Sequence, residues 1–333
     1  MMAARLRWGI LGTGWIAREQ TADLVSNGFT VTAVGSRSRD SAEAFAGQYR
    51  IATAHASYEA LVADPEVDVV YVATPHPYHA PNALLALNAG KHVLLEKPFA
   101  MNAAEAEAVV ALAEASGLVV LEAMWTRFLP HMQRIRDIIA AGALGEVRTV
   151  IADHGQRLSA DPAHRINDPA LGGGALLDLG IYPVSFAYDV FGAPTRVLAS
   201  ASMTETGVDR QNALVFEFAG GRQAILQSAL DARGPTTASV IGTLGRIEID
   251  SVWYIPTSFT AYSGQQVLER YEHPVAGRGM QYQAWELERR VRAGQSESDV
   301  LPPRESVQIM RTLDEIRRQI GLRYPADAGD GTV

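Results

Sequence analysis

Near the start of the chain stands the run Leu6-Arg7-Trp8-Gly9-Ile10-Leu11-Gly12-Thr13-Gly14-Trp15-Ile16-Ala17. Its first half is a short apolar segment typical of a buried strand, and it leads through a GxGxxA turn into helix-compatible sequence that reaches about Val25. Glycines here allow a tight turn and a close approach of pyrophosphate to the backbone, while the helix presents free N–H groups to the anion. The run therefore predicts a dinucleotide-binding βαβ unit, with cofactor contacts from Gly12, Thr13, Gly14, Trp15 and Ile16.

The end of the second predicted strand, Thr30 to Ser36, indicates which dinucleotide is expected. NAD enzymes usually carry an acid at this point, where it binds the ribose 2′-hydroxyl. This chain has Ser36-Arg37-Ser38-Arg39 instead. A guanidinium and hydroxyl groups hold a 2′-phosphate, which an acid would repel. Ser36 and Arg37 therefore predict NADP as the cofactor, with NAD as the alternative.

Strands and helices continue to alternate to about residue 124, which predicts a right-handed parallel sheet. The strand Val67 to Ala73 is followed by Thr74-Pro75-His76-Pro77-Tyr78-His79 at the carboxyl edge of that sheet. Ligands bind at this edge in open α/β folds, so we expect cofactor contacts from Thr74, Pro75, His76 and His79. The two histidines stand beside prolines with no carboxylate nearby in sequence, and no metal site is expected from them.

A further buried strand, His92-Val93-Leu94-Leu95-Glu96, delivers Lys97-Pro98 to the same edge. Proline removes a backbone donor and holds the two preceding residues near extended geometry. Lys97 is therefore a candidate for proton transfer or for orienting a substrate, and Glu96 is its neighbour at the cofactor. The alternative for an isolated Lys-Pro is a surface lysine in a salt bridge.

Composition excludes several classes of protein. A chain of 333 residues favours two domains. A net charge of -8 with scattered basic residues argues against nucleic acid as a partner. The absence of cysteine excludes disulfides and thiolate metal sites. No apolar run reaches the roughly 18 to 20 residues that span a bilayer, so no membrane partner is expected and the cytoplasm is the predicted compartment.

The second half of the chain predicts a different architecture. Asp178 and Tyr182 are four residues apart on a glycine-led helical stretch and so share a face, and Pro183 is expected to place Tyr182 at a bend. From Val197 the apolar period changes to two, which predicts an antiparallel sheet with strands at 197–203, 213–218, 223–230, 237–241 and 245–250. The candidates for substrate contact are Trp125, Arg165 and Trp253.

Four motifs taken together resemble the glucose-fructose oxidoreductase/inositol dehydrogenase/rhizopine catabolism (Gfo/Idh/MocA) family. They are Gly12-Thr13-Gly14, Ala73-Thr74-Pro75, Glu96-Lys97-Pro98 and Gly172-Gly173-Gly174-Ala175-Leu176-Leu177-Asp178-Leu179-Gly180-Ile181-Tyr182. Within the family, the stretches 121–128 and 206–209 and the tail from Gly279 to Pro325 look like the dimeric dihydrodiol dehydrogenases, which also act as NADP-dependent D-xylose dehydrogenases. Many relatives carry a histidine where this chain has Tyr182, and that departure favours the dihydrodiol branch.

The resemblance implies an α/β Rossmann domain, residues 1–124, followed by an α+β domain, residues 125–333, with a large, mostly antiparallel open sheet. The exposed face of that sheet commonly makes an oligomer contact, so a homodimer or a higher homo-oligomer is expected. The resemblance also implies that Lys97 borders the nicotinamide and the substrate.

The expected reaction is hydride transfer from a sugar hydroxyl or a cyclic trans-diol to NADP. A base must remove the hydroxyl proton, and Tyr182 is the predicted base because a neighbouring Lys97 ammonium favours the phenolate form. Asp178 is expected to orient one or both, and Lys97 is the alternative base. The other functions left open are an NAD-dependent sugar or inositol dehydrogenase, a glycoside hydrolase that uses nicotinamide transiently, and a non-catalytic NADP sensor.

Overall fold

A computed structural model of the chain describes residues 5–328. It contains two sheets, one of six strands and one of eight. The chain divides into two compact units. The first comprises the residues up to Trp125 together with Ala276–Val307, and the second comprises Thr126–Val275 and the chain from Gln308 onward.

The sheet of the first unit is entirely parallel. Its strands are β1 (Arg7–Leu11), β2 (Thr30–Gly35), β3 (Thr53–His55), β4 (Val69–Val72), β5 (His92–Glu96) and β6 (Val120–Ala123). The helices between them are α1 (Trp15–Ser26), α2 (Arg39–Tyr49), α3 (Tyr58–Val62), α4 (His79–Asn88) and α5 (Ala103–Ser116). The strand order is β3-β2-β1-β4-β5-β6: successive strands are added on one side of β1 as far as β3, and on the other side from β4 onward. In such sheets a ligand crevice opens at the carboxyl ends of the two strands where the order changes side, here β1 and β4.

Helices cover both faces of this sheet, so its central strands have no polar side. All four residues of β4 are buried, as are Trp8, Ile10 and Leu11 of β1. Local signals fix the helix ends: Asn102 caps α5 by accepting the Glu105 N–H at 2.9 Å. The predicted parallel nucleotide-binding sheet is confirmed.

The second unit contains the larger sheet. Its elements are α6 (Pro130–Ala140), β7 (Val147–Gly155), α7 (Ile181–Phe191), β8 (Arg196–Met203), β9 (Asp209–Phe218), β10 (Arg222–Ala229), β11 (Ala238–Gly242), β12 (Gly245–Ile249), β13 (Phe259–Ser263) and β14 (Gln266–Tyr271). Two helices follow in the chain: α8 (Gln281–Ala293), which lies in the first unit, and α9 (Pro303–Ile320), which begins in the first unit and ends in the second. The strand order is β14-β13-β12-β11-β7-β10-β9-β8, and only the β7–β10 pair is parallel. The predicted mostly antiparallel sheet is confirmed, and β13 and β14 extend it beyond the five strands predicted after residue 197.

The segment 276–307 groups with the first unit, whereas the predicted division assigned all of 125–333 to the second domain. Buried polar groups of the first unit give the reason, because they find their partners on this segment. The Trp8 indole N–H donates to Glu288 Oε1 at 3.0 Å, and the Ser306 hydroxyl donates to Glu122 at 2.6 Å. The Asp23 carboxylate accepts the Met280 N–H at 2.8 Å.

The stretch Pro169–Phe191 is long and apolar enough to cross a membrane, and 89% of its most apolar window is buried within the protein. Helix α7 at its end packs against β7 and β10. This stretch is therefore a core element of the second unit.

Candidate functional site

The turn between β1 and α1 has a conformation that favours glycine. Gly12 has φ of +108°, and a Cβ added there would lie 2.8 Å from the Ala73 carbonyl oxygen. Its N–H donates to the Gly35 carbonyl at 2.9 Å, which ties the turn to the end of β2. At Gly14 an added Cβ would meet nothing within 4 Å. The two glycines therefore serve different purposes, since Gly12 permits the turn and Gly14 leaves space in front of α1.

A cavity of about 530 Å³ lies at the carboxyl ends of β1, β2 and β4. It is lined by Gly12, Thr13, Gly14, Ser36, Arg37, Ser38, Ser41, Tyr58, Ala73, Thr74 and Pro75. None of these lining residues is acidic. Because α1 begins directly after Gly14, its first free N–H groups stand at the margin of the cavity. The glycine turn, the hydroxyl donors and the guanidinium fit a phosphate-bearing dinucleotide.

Seven of the predicted cofactor residues line this cavity, namely Gly12, Thr13, Gly14, Ser36, Arg37, Thr74 and Pro75. Trp15 stands at the start of α1 with 62% of its surface exposed, and the Arg278 guanidinium lies 5.2 Å from its ring centre. Ile16 is half-buried on the same helix.

His76, His79 and Glu96 do not line the cavity and are buried near it. The ring nitrogens of His79 lie 2.7 Å from the Pro98 carbonyl oxygen and 2.8 Å from that of Thr74. His79 thus joins the loop after β4 to the loop after β5. Its role in the structure is to hold the edge of the sheet, and its ring is turned to the backbone.

Lys97 is half-buried immediately after β5, next to the fully enclosed carboxyl group of Glu96. Glu96 accepts a hydrogen bond of 2.5 Å from the Tyr71 hydroxyl and one of 3.2 Å from the Lys97 backbone N–H. Burial raises the pKa of Glu96 to about 7, although the Tyr71 hydrogen bond and the Lys97 charge act in the opposite direction.

In the second unit Tyr182 lies in a cluster of rings. Its ring centre is 5.0 Å from that of His154 and 5.1 Å from that of Tyr254, and the latter two are 4.0 Å apart. His154 Nδ1 donates to the Leu179 carbonyl at 3.1 Å. The Gln156 side-chain amide contacts His154 Nε2 at 2.9 Å and donates to the Tyr254 hydroxyl at 3.0 Å. These bonds fix the ring orientations around Tyr182.

Asp178 lies on the π-helical segment Leu176–Gly180, directly before α7. Its carboxylate is buried and forms an ion pair of 3.4 Å with Arg165, whose side chain is half exposed. Pro183 was expected to place Tyr182 at a bend, but α7 runs through it to Phe191. Tyr182 therefore stands at a change from π-helix to α-helix within one continuous stretch.

Asp209 holds the start of this stretch. It accepts the Leu176 N–H at 2.8 Å and an Asn212 side-chain N–H at 2.9 Å. Burial raises the pKa of Asp209 to about 7, and the hydrogen bonds from Asn212 and Leu176 lower it by less. A hydrogen bond of 2.6 Å from the Tyr324 hydroxyl to the Gly173 carbonyl restrains the preceding glycine loop.

The comparisons with known proteins agree with this architecture. Residues 6–124 match the oxidoreductase family with an NAD-binding Rossmann fold, Gfo/Idh/MocA, and residues 132–248 match the Gfo/Idh/MocA C-terminal domain. The chain belongs to the Gfo/Idh/MocA oxidoreductase family. The expected family and the expected enzyme class, an NAD(P)-binding dehydrogenase, are thereby confirmed.

Three relatives of this Gfo/Idh/MocA oxidoreductase show how far the similarity extends. A trans-1,2-dihydrobenzene-1,2-diol dehydrogenase of Mus musculus is 39% identical over 332 residues, covering 97% of this chain and 99% of the relative. An aldose-aldose oxidoreductase from Caulobacter crescentus, solved with glycerol, is 28% identical with a TM-score of 0.86, covering 95% of this chain and 97% of that chain. A 3-ketoreductase from Actinomadura kijaniata, solved with NADP and TDP-benzene, is 26% identical with a TM-score of 0.85, covering 95% and 98%.

Two predicted substrate residues of the Gfo/Idh/MocA oxidoreductase are buried. Trp253 is fully enclosed, donates its indole N–H to the Asp153 carbonyl at 2.8 Å and packs on Phe186, so it is a core residue and cannot wall an open pocket. Trp125 is also buried, with the Arg278 guanidinium 5.7 Å from its ring centre. The third, Arg165, is paired with Asp178 as described above.

The sequence did not single out His154, which lies beside Tyr182, or Tyr58, which lines the cavity of the first unit. His154 is the single histidine of β7 and stands next to the last residue of that strand. Tyr58 opens a five-residue helix and carries no motif that marks it.

Proposed function

We propose that this chain transfers hydride between NADP and a secondary hydroxyl of a sugar or a cyclic trans-diol. The observation that carries the proposal is the lining of the cavity after β1, β2 and β4. This lining includes Arg37 just after β2, where an NAD enzyme usually has an acid. None of the other lining residues carries a carboxylate. A 3-ketoreductase of similar structure was solved with NADP, which supports this choice of dinucleotide.

The residues that would hold the cofactor are divided along the cavity. The turn Gly12-Thr13-Gly14 and the start of α1 would hold the pyrophosphate, Ser36 and Arg37 the 2′-phosphate, and Thr74 and Pro75 the part near the nicotinamide. When bound, the nicotinamide supplies the acceptor or donor of hydride.

Proton transfer is assigned to Tyr182. Its hydroxyl oxygen, Oη, takes the proton of the substrate hydroxyl as the carbonyl forms and returns it in the reverse direction. Lys97 is assigned the role of favouring the phenolate form and orienting the substrate oxygen, and Asp178 is assigned the role of orienting one or both. Lys97 is the alternative base. The similar 3-ketoreductase has been solved as a lysine-to-alanine and as a tyrosine-to-phenylalanine variant, and these are the two residue types assigned here.

The substrate class follows from the relatives and from the rings beside Tyr182. The mouse relative carries the name of a trans-dihydrodiol dehydrogenase, and the similar bacterial enzyme is an aldose oxidoreductase solved with glycerol. Tyr254, which is half-buried, offers a flat surface about 5 Å from the Tyr182 ring centre, and a flat ring suits an alicyclic diol or a pyranose.

The proposed reaction is tested by the absorbance of NADPH. Purified protein is mixed with NADP or NAD and with D-xylose, D-glucose or a trans-dihydrodiol of benzene. The expected result is NADPH formation with at least one substrate and a much slower reaction with NAD. Formation of NADH at equal rates would remove the NADP assignment. Cleavage of an aryl glycoside without net reduction would indicate a hydrolase, and binding without turnover of any substrate would indicate a sensor.

We also propose a homodimer through the large sheet. Ile151, Ile225, Val215 and Leu198 form a row across four adjacent strands, because the register pairs each with the next. Ile151, Ile225 and Leu198 are 42%, 47% and 40% exposed. A contiguous apolar row on an open sheet face is typical of a subunit contact.

A further inference from the structure

Tyr58 stands at the end of the cavity that holds Arg37. It is the first residue of α3, and the preceding Ser57 fixes the helix start by accepting the Ala60 N–H at 3.1 Å. Its side chain lines the cavity together with Ser36, Arg37, Ser38 and Ser41. The motif reasoning assigned this tyrosine no role.

The Arg37 guanidinium lies beside the phenol oxygen of Tyr58 and 5.9 Å from the ring centre of Tyr78. A guanidinium has only donors, so it approaches the phenol through the oxygen lone pairs. The phenol hydrogen must then point away from Arg37. Burial raises the pKa of Tyr58, and the charge and hydrogen bonding of Arg37 lower it by less, so the phenol keeps its hydrogen at neutral pH.

The serine hydroxyls at this end of the cavity also accept hydrogen bonds from their neighbours and keep their own hydrogens. Ser36 Oγ accepts the Ser38 N–H at 3.3 Å, and Ser38 Oγ accepts the Ser41 N–H at 3.3 Å. Each hydroxyl thereby uses a lone pair on the backbone and retains its hydrogen for another acceptor. The guanidinium, the phenol and the serines therefore offer several donors in one place, with no acid among the lining residues.

We propose that the phenol O–H of Tyr58 donates a hydrogen bond to the 2′-phosphate of NADP and, with Arg37, sets the preference for NADP over NAD. This inference rests on the proposed NADP-dependent function, because it names a second group that recognises the same phosphate. A 2′-phosphate has three terminal oxygens and nearly two negative charges, which one guanidinium does not satisfy alone. The 2′-hydroxyl of NAD needs no such donor, so Tyr58 discriminates between the two.

The test measures dissociation constants of the full-length protein for NADPH and NADH by fluorescence titration. Tyr58→Phe keeps the ring and removes only the hydroxyl. We expect its affinity for NADPH to fall about tenfold, since a hydrogen bond to a charged group is lost, with NADH binding unchanged. The matched control is Tyr49→Phe, because the Tyr49 hydroxyl donates to the Arg18 carbonyl at 3.0 Å and does not line the cavity. Tyr49→Phe should keep the wild-type ratio of the dissociation constants for NADH and NADPH.

Two results separate this inference from the function it rests on. A wild-type protein that binds NADPH and NADH equally overturns the NADP assignment itself. A wild-type protein that prefers NADPH, with Tyr58→Phe showing the same preference, overturns only the role of Tyr58 and points to ring stacking alone. NADH affinity reports whether the variant is folded.

A second measurement applies even where Tyr58→Phe is unstable. The ³¹P resonance of the 2′-phosphate of bound NADP should remain that of the dianion to lower pH than in free NADP, because donors favour the charged form. Tyr58→Phe, or Tyr58→Leu if the phenylalanine variant does not fold, should move this transition back towards the free value, because neither side chain has a donor. An unchanged transition contradicts the proposal.

Discussion

Glu96 shows how the fold controls the charge of a single residue. Its carboxyl group is buried beside Lys97 and bonded to the Tyr71 hydroxyl, and burial raises its pKa from 4.5 to about 7. Between these two values the folded protein holds a proton that the unfolded chain releases. The contribution of Glu96 to stability is therefore complete below pH 4.5 and is lost as the pH rises through about 7.

Glu96→Gln should flatten this part of the pH dependence, because an amide does not ionise. We expect the fall in the free energy of unfolding between about pH 5 and pH 8 to be smaller in this variant than in the wild type, measured by urea denaturation. The exposed Glu43→Gln is the control and should keep the wild-type slope. Equal slopes for Glu96→Gln and the wild type would show that Glu96 does not titrate in this range.

Tyr182→Phe tests the proposed base. It removes one hydroxyl while keeping the ring contacts with His154 and Tyr254. We expect kcat to fall about 100-fold or more, with little change in NADP affinity, because every residue lining the cofactor cavity belongs to the first unit. Steady-state kinetics and cofactor titration provide the two values.

The control for that experiment is Tyr262→Phe, a tyrosine of the same unit on β13, where the Arg246 guanidinium lies 4.0 Å from the ring centre. It should leave kcat unchanged. Near-normal turnover in Tyr182→Phe would transfer the role of base to Lys97.

At the scale of elements, the β1–α1 turn combines a backbone requirement with a ligand requirement. Gly12 has positive φ and no room for a Cβ, whereas Gly14 has φ of −70° and open space beside it. The same GxG motif therefore contains one glycine that the backbone conformation requires and one that leaves open space at the cavity. The sequence motif alone cannot distinguish them.

The two glycines should respond differently to alanine. Gly12→Ala should lower the free energy of unfolding by about 1–3 kcal/mol, because it imposes strain and a contact with the Ala73 carbonyl. Gly14→Ala should unfold close to the wild-type free energy but bind NADPH and NADH more weakly, because its methyl group enters the cavity. Thermal or urea denaturation and cofactor titration check both variants, and equal stability losses at the two positions would refute this division.

Elements of the first unit were predicted well, because β1, β4, β5 and β6 are short, mostly apolar runs of buried residues. The stretch 176–191 was harder, since Gly180 and Pro183 indicate a break. In the structure Leu176 is held by Asp209, which is far away in sequence, and the helix continues through a π-helical turn. The hairpin β13–β14 was missed because its strands are partly exposed and gain their pairing from β12.

At the scale of the whole molecule, the large sheet leaves one face with an apolar row. Ala224 and Leu226 of β10 are buried on the side that α7 covers, while Ile225 between them is 47% exposed. Strand alternation places these residues on opposite faces. The exposed face is therefore the proposed contact between two copies of the chain.

Ile225→Glu should convert the proposed homodimer to a monomer, because it buries a charge in the middle of the contact. Size-exclusion chromatography with light scattering measures the mass directly. Val267→Glu is the matched control, since Val267 is 60% exposed on β14, at the opposite edge of the sheet from β8. A wild-type monomer, or a dimer that survives Ile225→Glu, would contradict the proposed contact.

The sequence by itself determined the parallel Rossmann sheet, its glycine turn, the basic end of β2 and the family, because these depend on local periodicity and on short motifs. Only the tertiary structure decided which aromatic residues surround Tyr182 and that Trp253 is a core residue. It also decided that Tyr58 lines the same cavity as Arg37 and that residues 276–307 belong with the first unit. The physical reason is that these outcomes depend on burial and on hydrogen bonds between residues far apart in the chain, such as Trp8 with Glu288. Local sequence patterns do not indicate which distant residues will become partners.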